Sequence, residues 1–204
     1  MMKIINGALT PTTGNIYIDG EKMSFDSPHA AANHGIRMVY QELDLFPHLT
    51  VAENICQGNI PKNKAGMVDW KEMERVSKEL LKLIKVDINV NERMDRLSIA
   101  QQQIAAIARA LNGNCKFILL DEPTNHLDNE MLTWLEDYLN RYKGTVIMVT
   151  HDRYFLDRVS NRILELDHGK IYSYEANYSK FLELKVQREE MALATERKRQ
   201  SVLR

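Results

Sequence analysis

The sequence predicts an α/β fold in which helices cover a parallel β-sheet. Strand and helix patterns alternate between residues 116 and 167, with short connections. Residues 117–120 and 146–149 are continuous apolar runs, which are typical of strands buried on both faces of a sheet. A chain of 204 residues with 27% charged side chains has enough material for one packed domain, with room for a small appended subdomain.

Charge, cysteines and hydropathy narrow the class of protein. A net charge of −1 gives no sign of a globally basic nucleic-acid binder. Cys56 and Cys115 lie far apart beside apolar residues, so we expect two buried, reduced thiols. The first residues lack the apolar core of a signal peptide, and no apolar run approaches the ~20 residues of a membrane span. We therefore expect a cytoplasmic protein without direct membrane insertion, peripheral to the inner face of the membrane if a partner brings it there.

Two strands and a helix are predicted in the first 41 residues. Residues 15–20 alternate apolar and polar side chains and end in Asp-Gly, which indicates a strand entering a turn. In residues 27–35, Ser27 fits a helix cap, Pro28 fits the first helical position, and a glycine follows the last turn. Residues 36–41 then fit a strand that stops at a polar residue.

The rest of the chain continues with helices and alternating elements. The pattern predicts an amphipathic helix at residues 69–86, capped by Asp69. It also predicts an alanine-rich helix at residues 101–112, which is suited to close packing. The elements predicted next are a strand at 116–120, a helix at 129–142, a strand at 144–150, a helix at 153–159 and a strand at 162–167. Beyond them charge dominates, which indicates a long helix that leaves the domain body or, equally well, a solvated terminal helix.

Polar residues stand at the ends of three predicted strands. Asp121 and Glu122 follow one buried strand, His151 follows the next, and Gln41 ends an earlier one. In a parallel sheet, neighbouring strand ends lie about 5 Å apart. An aspartate there suits Mg²⁺, and a glutamate beside it can orient and deprotonate a water for attack on a phosphoryl group. Helix capping and a structural histidine are the plainer interpretations of the same residues.

The segment LSIAQ at residues 97–101 stands directly before the alanine-rich helix. A helix N-terminus presents free N–H groups and the positive end of a dipole, both of which favour an anion. Ser98 adds a hydroxyl donor, although the same serine also fits a simple helix cap.

Taken together, these segments resemble the ATP-binding cassette (ABC) ATPases, and the resemblance covers essentially the whole chain. The motifs occur in the family's order: the Q-loop at Gln41, the signature at 97–101, Walker B at 117–121 followed by Glu122, the D-loop at 125–128 and the switch histidine at His151. The resemblance implies ATP and Mg²⁺ as cofactors and the following roles: catalytic for Glu122, His151 and Gln41, nucleotide-binding for Ser98, Ala100, Gln101 and Asp128, and metal-binding for Asp121 and Gln41. Ile99 and Ala100 replace two glycines of the commonest signature, which limits how closely the backbone approaches a phosphate.

The resemblance divides the chain between two branches of the family. Residues 1–115 are similar to the ATPase subunits of monosaccharide importers, whereas residues 117–204 are similar to the ABC-F class of translation factors and antibiotic-resistance proteins. The implied organisation is a P-loop NTPase-like ABC ATPase domain at 1–174, containing a helical subdomain at about 50–112, and a charged linker helix at 175–204. The implied partners are a second ABC ATPase domain, in a homo- or heterodimer, and either a membrane permease or the ribosome.

The phosphate-binding loop of such enzymes, G-x-x-x-x-G-K-[ST], has no match in the 204 residues. Only Gly169-Lys170 gives Gly-Lys, and an isoleucine follows. By resemblance, we expect an N-terminally truncated cassette, a hybrid or a fragment, that is weak or inactive as an ATPase alone and completes an ATP site in trans. The alternatives are a fragment of an ABC-F protein acting at the ribosome and the ATP-binding subunit of a sugar importer.

Overall fold

The computed structural model describes residues 1–113 and 115–202, with side chains described up to residue 194. The chain divides into two compact units, Met1–Thr150 and His151–Arg204. The helices of the described residues are α1 (Met2–Ile5), α2 (Pro28–Asn33), α3 (Val51–Ile55), α4 (Trp70–Leu83), α5 (Ile99–Leu111), α6 (Asn129–Arg141), α7 (Arg153–Val159) and α8 (Tyr178–Val202), with a 3₁₀ turn at Met94–Arg96. Their strands are β1 (Ile16–Ile18), β2 (Glu21–Met23), β3 (Ile36–Val39), β4 (Phe117–Asp121), β5 (Thr145–Val149), β6 (Ile163–Asp167) and β7 (Lys170–Tyr174). Residues 203 and 204 of the predicted linker helix lie outside the described residues.

The first unit contains the predicted parallel sheet, in the order β3–β4–β5. Ile36 lies opposite Phe117, and Asp121 lies opposite Val149, so the carboxyl ends of the three strands meet at one edge. The middle strand β4 is buried through its central three residues, and Leu119 shares an apolar cluster with residues of α1, α2 and the β1–β2 hairpin. The prediction of an α/β fold with a parallel sheet is confirmed.

Strand β5 differs from the prediction for its apolar run. Residues 146–148 are half-buried, while Thr145 and Val149 are exposed. Among the described residues β5 pairs only with β4, so it is an edge strand of the sheet. The prediction that β5 is buried on both faces was therefore wrong, because an apolar run does not distinguish a central strand from an edge strand.

Strand β6 was predicted to join the parallel sheet, and this prediction was also wrong. It pairs antiparallel with β7, a strand that the sequence pattern did not predict. His168 and Gly169, the two loop residues between these strands, have φ angles of 46° and 74°. Two consecutive residues of positive φ form the tight hairpin turn whose twist matches that of paired strands, so the chain folds back at once.

A helical layer in the first unit packs α3, α4 and α5 around one apolar cluster. Thr50 and Glu53 form a reciprocal capping box on α3, and Asp69 caps α4 through the backbone N–H of Glu72, as expected for this residue. Helix α4 ends at Leu83 rather than at residue 86, because Lys85 adopts a left-handed φ of 58°.

The two cysteines are free thiols. Cys56 is fully buried in the apolar cluster of the helical layer, and burial raises the pKa of its thiol. Cys115 is only half-buried, which corrects the expectation that both side chains are buried. Burial is also the main cause that raises the pKa of the Cys115 thiol. Burial thus makes both thiols harder to ionise than an ordinary cysteine.

The second unit places the β6–β7 hairpin against α8. Tyr174 and Phe181 meet edge to face with ring centroids 5.0 Å apart, inside a small apolar cluster. Beside them, Glu165 accepts hydrogen bonds from Lys185 Nζ at 2.5 Å and Arg188 Nη1 at 2.8 Å. The predicted long charged helix is therefore present, and its first three turns pack on the hairpin.

We expect Glu165→Gln to destabilise the second unit by about 1–2 kcal/mol, because hydrogen bonds between charged groups are lost and two cations keep only weaker partners. Burial alone would raise the pKa of Glu165, but the hydrogen bond from Lys185 and that from the Tyr174 hydroxyl bring the pKa below its usual value. A carboxylate with a lowered pKa contributes stability above 4.5, its ordinary value, and loses that contribution as the pH falls further. Hydrogen exchange of the hairpin amides at pH 7 and pH 3 measures both effects. Equal protection in the two proteins at pH 7 would contradict this prediction.

Among residues 1–113 and 115–202, every helix is too short or too polar to cross a membrane.

Candidate functional site

The carboxyl edge of the parallel sheet carries the predicted acid pair. Asp121 is the last residue of β4 and lies opposite Val149 of β5. Glu122 follows it, and Gln41 lies two residues beyond the end of β3, whose last residue Val39 lies opposite Leu120. Open parallel sheets bind ligands at this edge, outside the carboxyl ends of the strands. The topology thus brings Asp121, Glu122 and the Gln41 segment to one edge, although β3 ends at Val39 and not at Gln41 as predicted.

Glu122 has an unusual backbone conformation. Its φ is 48°, in the left-handed region that residues with a side chain rarely adopt, and its backbone N–H donates to the Val149 carbonyl at 2.8 Å. The residue is only 8% exposed. A conformation of this kind costs about 1–3 kcal/mol and persists where the surrounding structure enforces it, most often at functional sites. The turn after β4 therefore holds the backbone of Glu122 in one conformation.

A pair of threonines braces the same edge and was not identified from the sequence. The hydroxyls of Thr124 and Thr150 lie 3.1 Å apart, within hydrogen-bond distance. Thr124 belongs to the turn after β4, and Thr150 follows β5 directly, so the contact ties together the two segments that leave the sheet. A threonine directly after a strand is the only signal in the sequence, and it is too common to be informative.

Gln41 lies in an irregular, exposed segment that is anchored on either side. Asn6 Nδ2 donates to the Tyr40 hydroxyl at 2.6 Å, and burial is the main cause that raises the pKa of that phenol. Arg109 of α5 donates from Nη1 to the Asp44 carbonyl at 2.5 Å, and burial lowers the pKa of its guanidinium. The Gln41 segment is therefore fixed to the helix that begins at the signature.

The predicted nucleotide contacts of the signature lie at the N-terminus of α5. Ser98 caps this helix by accepting from the Gln101 backbone N–H at 3.3 Å, and the Gln101 side chain accepts from the Ser98 backbone N–H at 3.1 Å. Ala100 is half-buried in the first turn, whereas Ile99 is 55% exposed. The helix includes Ile99 and Ala100, so it begins two residues earlier than predicted. Both the capping and the anion-facing interpretations of Ser98 are compatible with this geometry.

Two further predicted site residues, Asp128 and His151, lie outside the segments described so far. Asp128 caps α6 by accepting from the Met131 backbone N–H at 2.9 Å, so its carboxylate has a structural task. His151 directly follows Thr150 in the chain, is exposed, and is the first residue of the second unit. Its role as a switch histidine stays a prediction.

The donors at the sheet edge fit Mg²⁺, which keeps some of its waters, better than a metal whose ligands all come from the protein. The described residues contain no group of three or more His, Cys, Asp or Glu side chains placed to hold an ion. Mg²⁺ keeps several waters and is bound through one or two carboxylates together with phosphate oxygens, so the carboxylate of Asp121 fits this ion, while the contribution of Gln41 stays a prediction. The triphosphate is a different matter, because the 204 residues contain no phosphate-binding loop.

Comparisons with known proteins point to one family. A family profile described as ABC transporter matches residues 1–125, and a second profile with the same description matches residues 164–204. The chain is 36% identical over 172 residues to the ribose import ATP-binding protein RbsA of Rhodopirellula baltica, covering 83% of this chain and 34% of that protein. It is 50% identical over 123 residues to the uncharacterized ABC transporter ATP-binding protein YfmR of Bacillus subtilis, covering 60% of this chain and 20% of that protein.

A solved structure has the same fold. It is the dimeric, post-hydrolysis state of the ATP-binding cassette MJ0796 bound to ADP and Pi, with a TM-score of 0.71 and 32% identity. The match covers 85% of this chain and 78% of that one. By contrast, the chain spans only 20% to 36% of the length of the curated relatives compared.

Proposed function

The chain belongs to the ABC transporter family, as an ATPase module similar to the ATP-binding subunits of sugar importers, and from this premise we propose that it supplies the water-activating and signature parts of an ATP site. The observation that carries the proposal is the acid pair at the end of the buried central strand β4, with Glu122 held in a left-handed turn by the Val149 carbonyl. Hydrolysis of ATP with Mg²⁺ is the reaction that this family performs.

Each polar residue at the sheet edge receives a role from its chemistry. Asp121 and Gln41 offer hard oxygen ligands to Mg²⁺. Glu122, which is largely buried, orients the attacking water and accepts its proton. The family resemblance assigns His151 to the terminal phosphate and Asp128 to nucleotide binding. When bound, Mg²⁺ neutralises the charge that develops on the transferred phosphoryl group.

The signature serves a second cassette in trans. The N-terminus of α5 offers its first backbone N–H groups and the positive end of the helix dipole, which suit a triphosphate bound to another subunit. The exposed Ile99 beside Ser98 fits a surface that a partner covers. The solved relative of the same fold is described as a dimer, which supports this arrangement. We propose that the chain completes one composite ATP site.

The biological role that we propose is sugar import together with a membrane permease. Relatives described as ribose and arabinose import ATP-binding proteins are 36% identical over 172 and 180 residues. In this role, residues 1–174 would be the cassette, with its helical part at about 50–112, and residues 175–204 would be the linker. The whole chain would lie at the cytoplasmic face of the membrane. The ribosomal ABC-F role retains only the resemblance of the sequence after residue 117. Co-sedimentation of the chain with ribosomes rather than with permease-containing membranes would reverse this choice.

We expect the purified chain to bind Mg-ATP with a Kd of about 1 mM or weaker. This Kd corresponds to a binding free energy of roughly −4 kcal/mol. The reason is that the 204 residues include neither the loop's backbone N–H groups nor its lysine, so that most of the triphosphate charge has no partner. Isothermal titration with Mg-ATP measures the affinity, and Asp121→Asn serves as a control for binding at the sheet edge. Micromolar binding that Asp121→Asn weakens would contradict the proposal.

A further inference from the structure

A second polar cleft lies in the first unit at the amino ends of β3 and β4, at the opposite end of these strands from Asp121 and Glu122. Its volume is about 520 Å³, within the range of about 300–1,000 Å³ that small-molecule sites occupy. Its lining includes seven side chains that can interact with a polar ligand: Asp19, Glu21, Asn33, His34, Arg37, Asn59 and Lys116. The role proposed above for the chain does not use any of them.

Arg37 is the residue that points to a ligand. It lies in β3 opposite Ile118, and its Nε is buried without a hydrogen-bond partner among the described residues. Because Nε has almost no accessible surface, a ligand in the cleft would meet the terminal Nη atoms of the guanidinium instead. The planar guanidinium presents paired donors that match the oxygens of a phosphate or carboxylate.

Gly113 keeps the space beside Arg37 open. Its φ is 115°, and a Cβ at this position would lie 3.3 Å from Asn59 Nδ2 and 3.6 Å from Arg37 Nη2. The missing side chain therefore leaves the amide of Asn59 and the guanidinium of Arg37 accessible from the same side. Lys116 adds a second cation, and its backbone is fixed because its N–H donates to the Gly35 carbonyl at 2.8 Å.

The lining residues of the β1–β2 hairpin have the reverse charge. Asp19 and Glu21 belong to the β1–β2 hairpin, where Asp19 adopts the left-handed φ of 52° in the turn. Their carboxylates repel a bare anion but accept hydrogen bonds from hydroxyls. A ligand that pairs with both the cationic and the acidic lining residues carries an anionic group and hydroxyl donors.

We propose that this cleft binds a small, soluble phosphorylated polyol, with its phosphate on Arg37 and Lys116 and its hydroxyls toward Asp19 and Glu21. The proposal is independent of the ATP site, because the two lie at opposite ends of the same strands. It also requires no divalent ion, whereas nucleotide binding in this family uses Mg²⁺.

Isothermal titration of the whole chain with glycerol 3-phosphate in the presence of EDTA tests the proposal, with glycerol and inorganic phosphate as comparison ligands. We expect the phosphorylated polyol to bind more tightly than inorganic phosphate, and glycerol not to bind. Arg37→Gln should weaken binding at least about tenfold, as expected for the loss of charged hydrogen bonds. Lys22→Gln is the matched control, because Lys22 lies on β2 next to Glu21 but projects from the other face of the hairpin and does not line the cleft.

Two further variants keep the test decisive if Arg37→Gln does not fold. Lys116 is exposed, so Lys116→Gln should fold normally and weaken binding of both phosphate ligands. Glu21→Gln should narrow the preference for glycerol 3-phosphate over inorganic phosphate, because it removes repulsion and an acceptor together. The absence of heat at millimolar ligand, or equal weakening by Lys22→Gln and Lys116→Gln, would overturn the proposal.

Discussion

Replacing Ser98 with aspartate is expected to abolish the stimulation that this chain gives to a loop-bearing cassette, whereas asparagine is expected to retain most of it. Serine, asparagine and aspartate are about equally good helix caps, so both variants keep the bond to the Gln101 backbone N–H. Only aspartate places a negative charge where the triphosphate of the partner would lie. The pair therefore separates the anion-facing role of Ser98 from its structural role.

The size of this effect follows from the charge. Losing a hydrogen bond to a charged group costs about 1.5–3 kcal/mol, which is about 10- to 150-fold in rate, and repulsion adds to it. The assay measures ATP hydrolysis by a cassette that has its own phosphate-binding loop but an inactivated signature serine, with and without this chain. Equal stimulation by the aspartate and asparagine variants, both folded in thermal melts, would show that the N-terminus of α5 does not face a nucleotide.

Two of the helix starts were predictable because their caps are local, whereas α1 and α3 were not predicted. Ser27 accepts from the Ala30 backbone N–H, and Asp69 accepts from that of Glu72, each at the residue where the sequence pattern placed the helix start. An oxygen three residues before a backbone N–H is enough to fix such an end, and no distant contact is required. The Asp-Gly turn between β1 and β2 was equally local, since both residues adopt positive φ.

The sheet was harder to predict because the pairing of strands is not local. The apolar residues of β5 resemble those of β4, yet β5 is an edge strand and β4 is buried. Because the chain turns back at His168 and Gly169, β6 pairs with β7 and not with the parallel sheet. In the sequence, the glycine is the only sign of this turn. At the candidate site, the sequence supplied Asp121 and Glu122 but neither the left-handed φ of Glu122 nor the Thr124–Thr150 contact, which both depend on the end of β5.

Leu119→Ala is expected to have the largest effect on the stability of the first unit. Leu119 is fully buried in the centre of β4, opposite Met38 on one side and Ile147 on the other. Truncating a buried leucine costs about 2–5 kcal/mol through lost burial and the cavity left behind. A domain is stable by only about 5–15 kcal/mol, so this variant should lose much of that free energy of unfolding.

Urea denaturation followed by tryptophan fluorescence measures this loss in the right unit, since both tryptophans of the chain, Trp70 and Trp134, lie in the first unit. Leu83→Ala is the matched control, because Leu83 is 57% exposed in the last turn of α4 and should change stability by no more than about 0.5 kcal/mol. A loss below about 1 kcal/mol for Leu119→Ala would contradict the central position of β4. It would also remove the physical reason for placing Asp121 and Glu122 at a fixed edge, since a strand delivers its terminal carboxylates accurately only when its middle is held by the core.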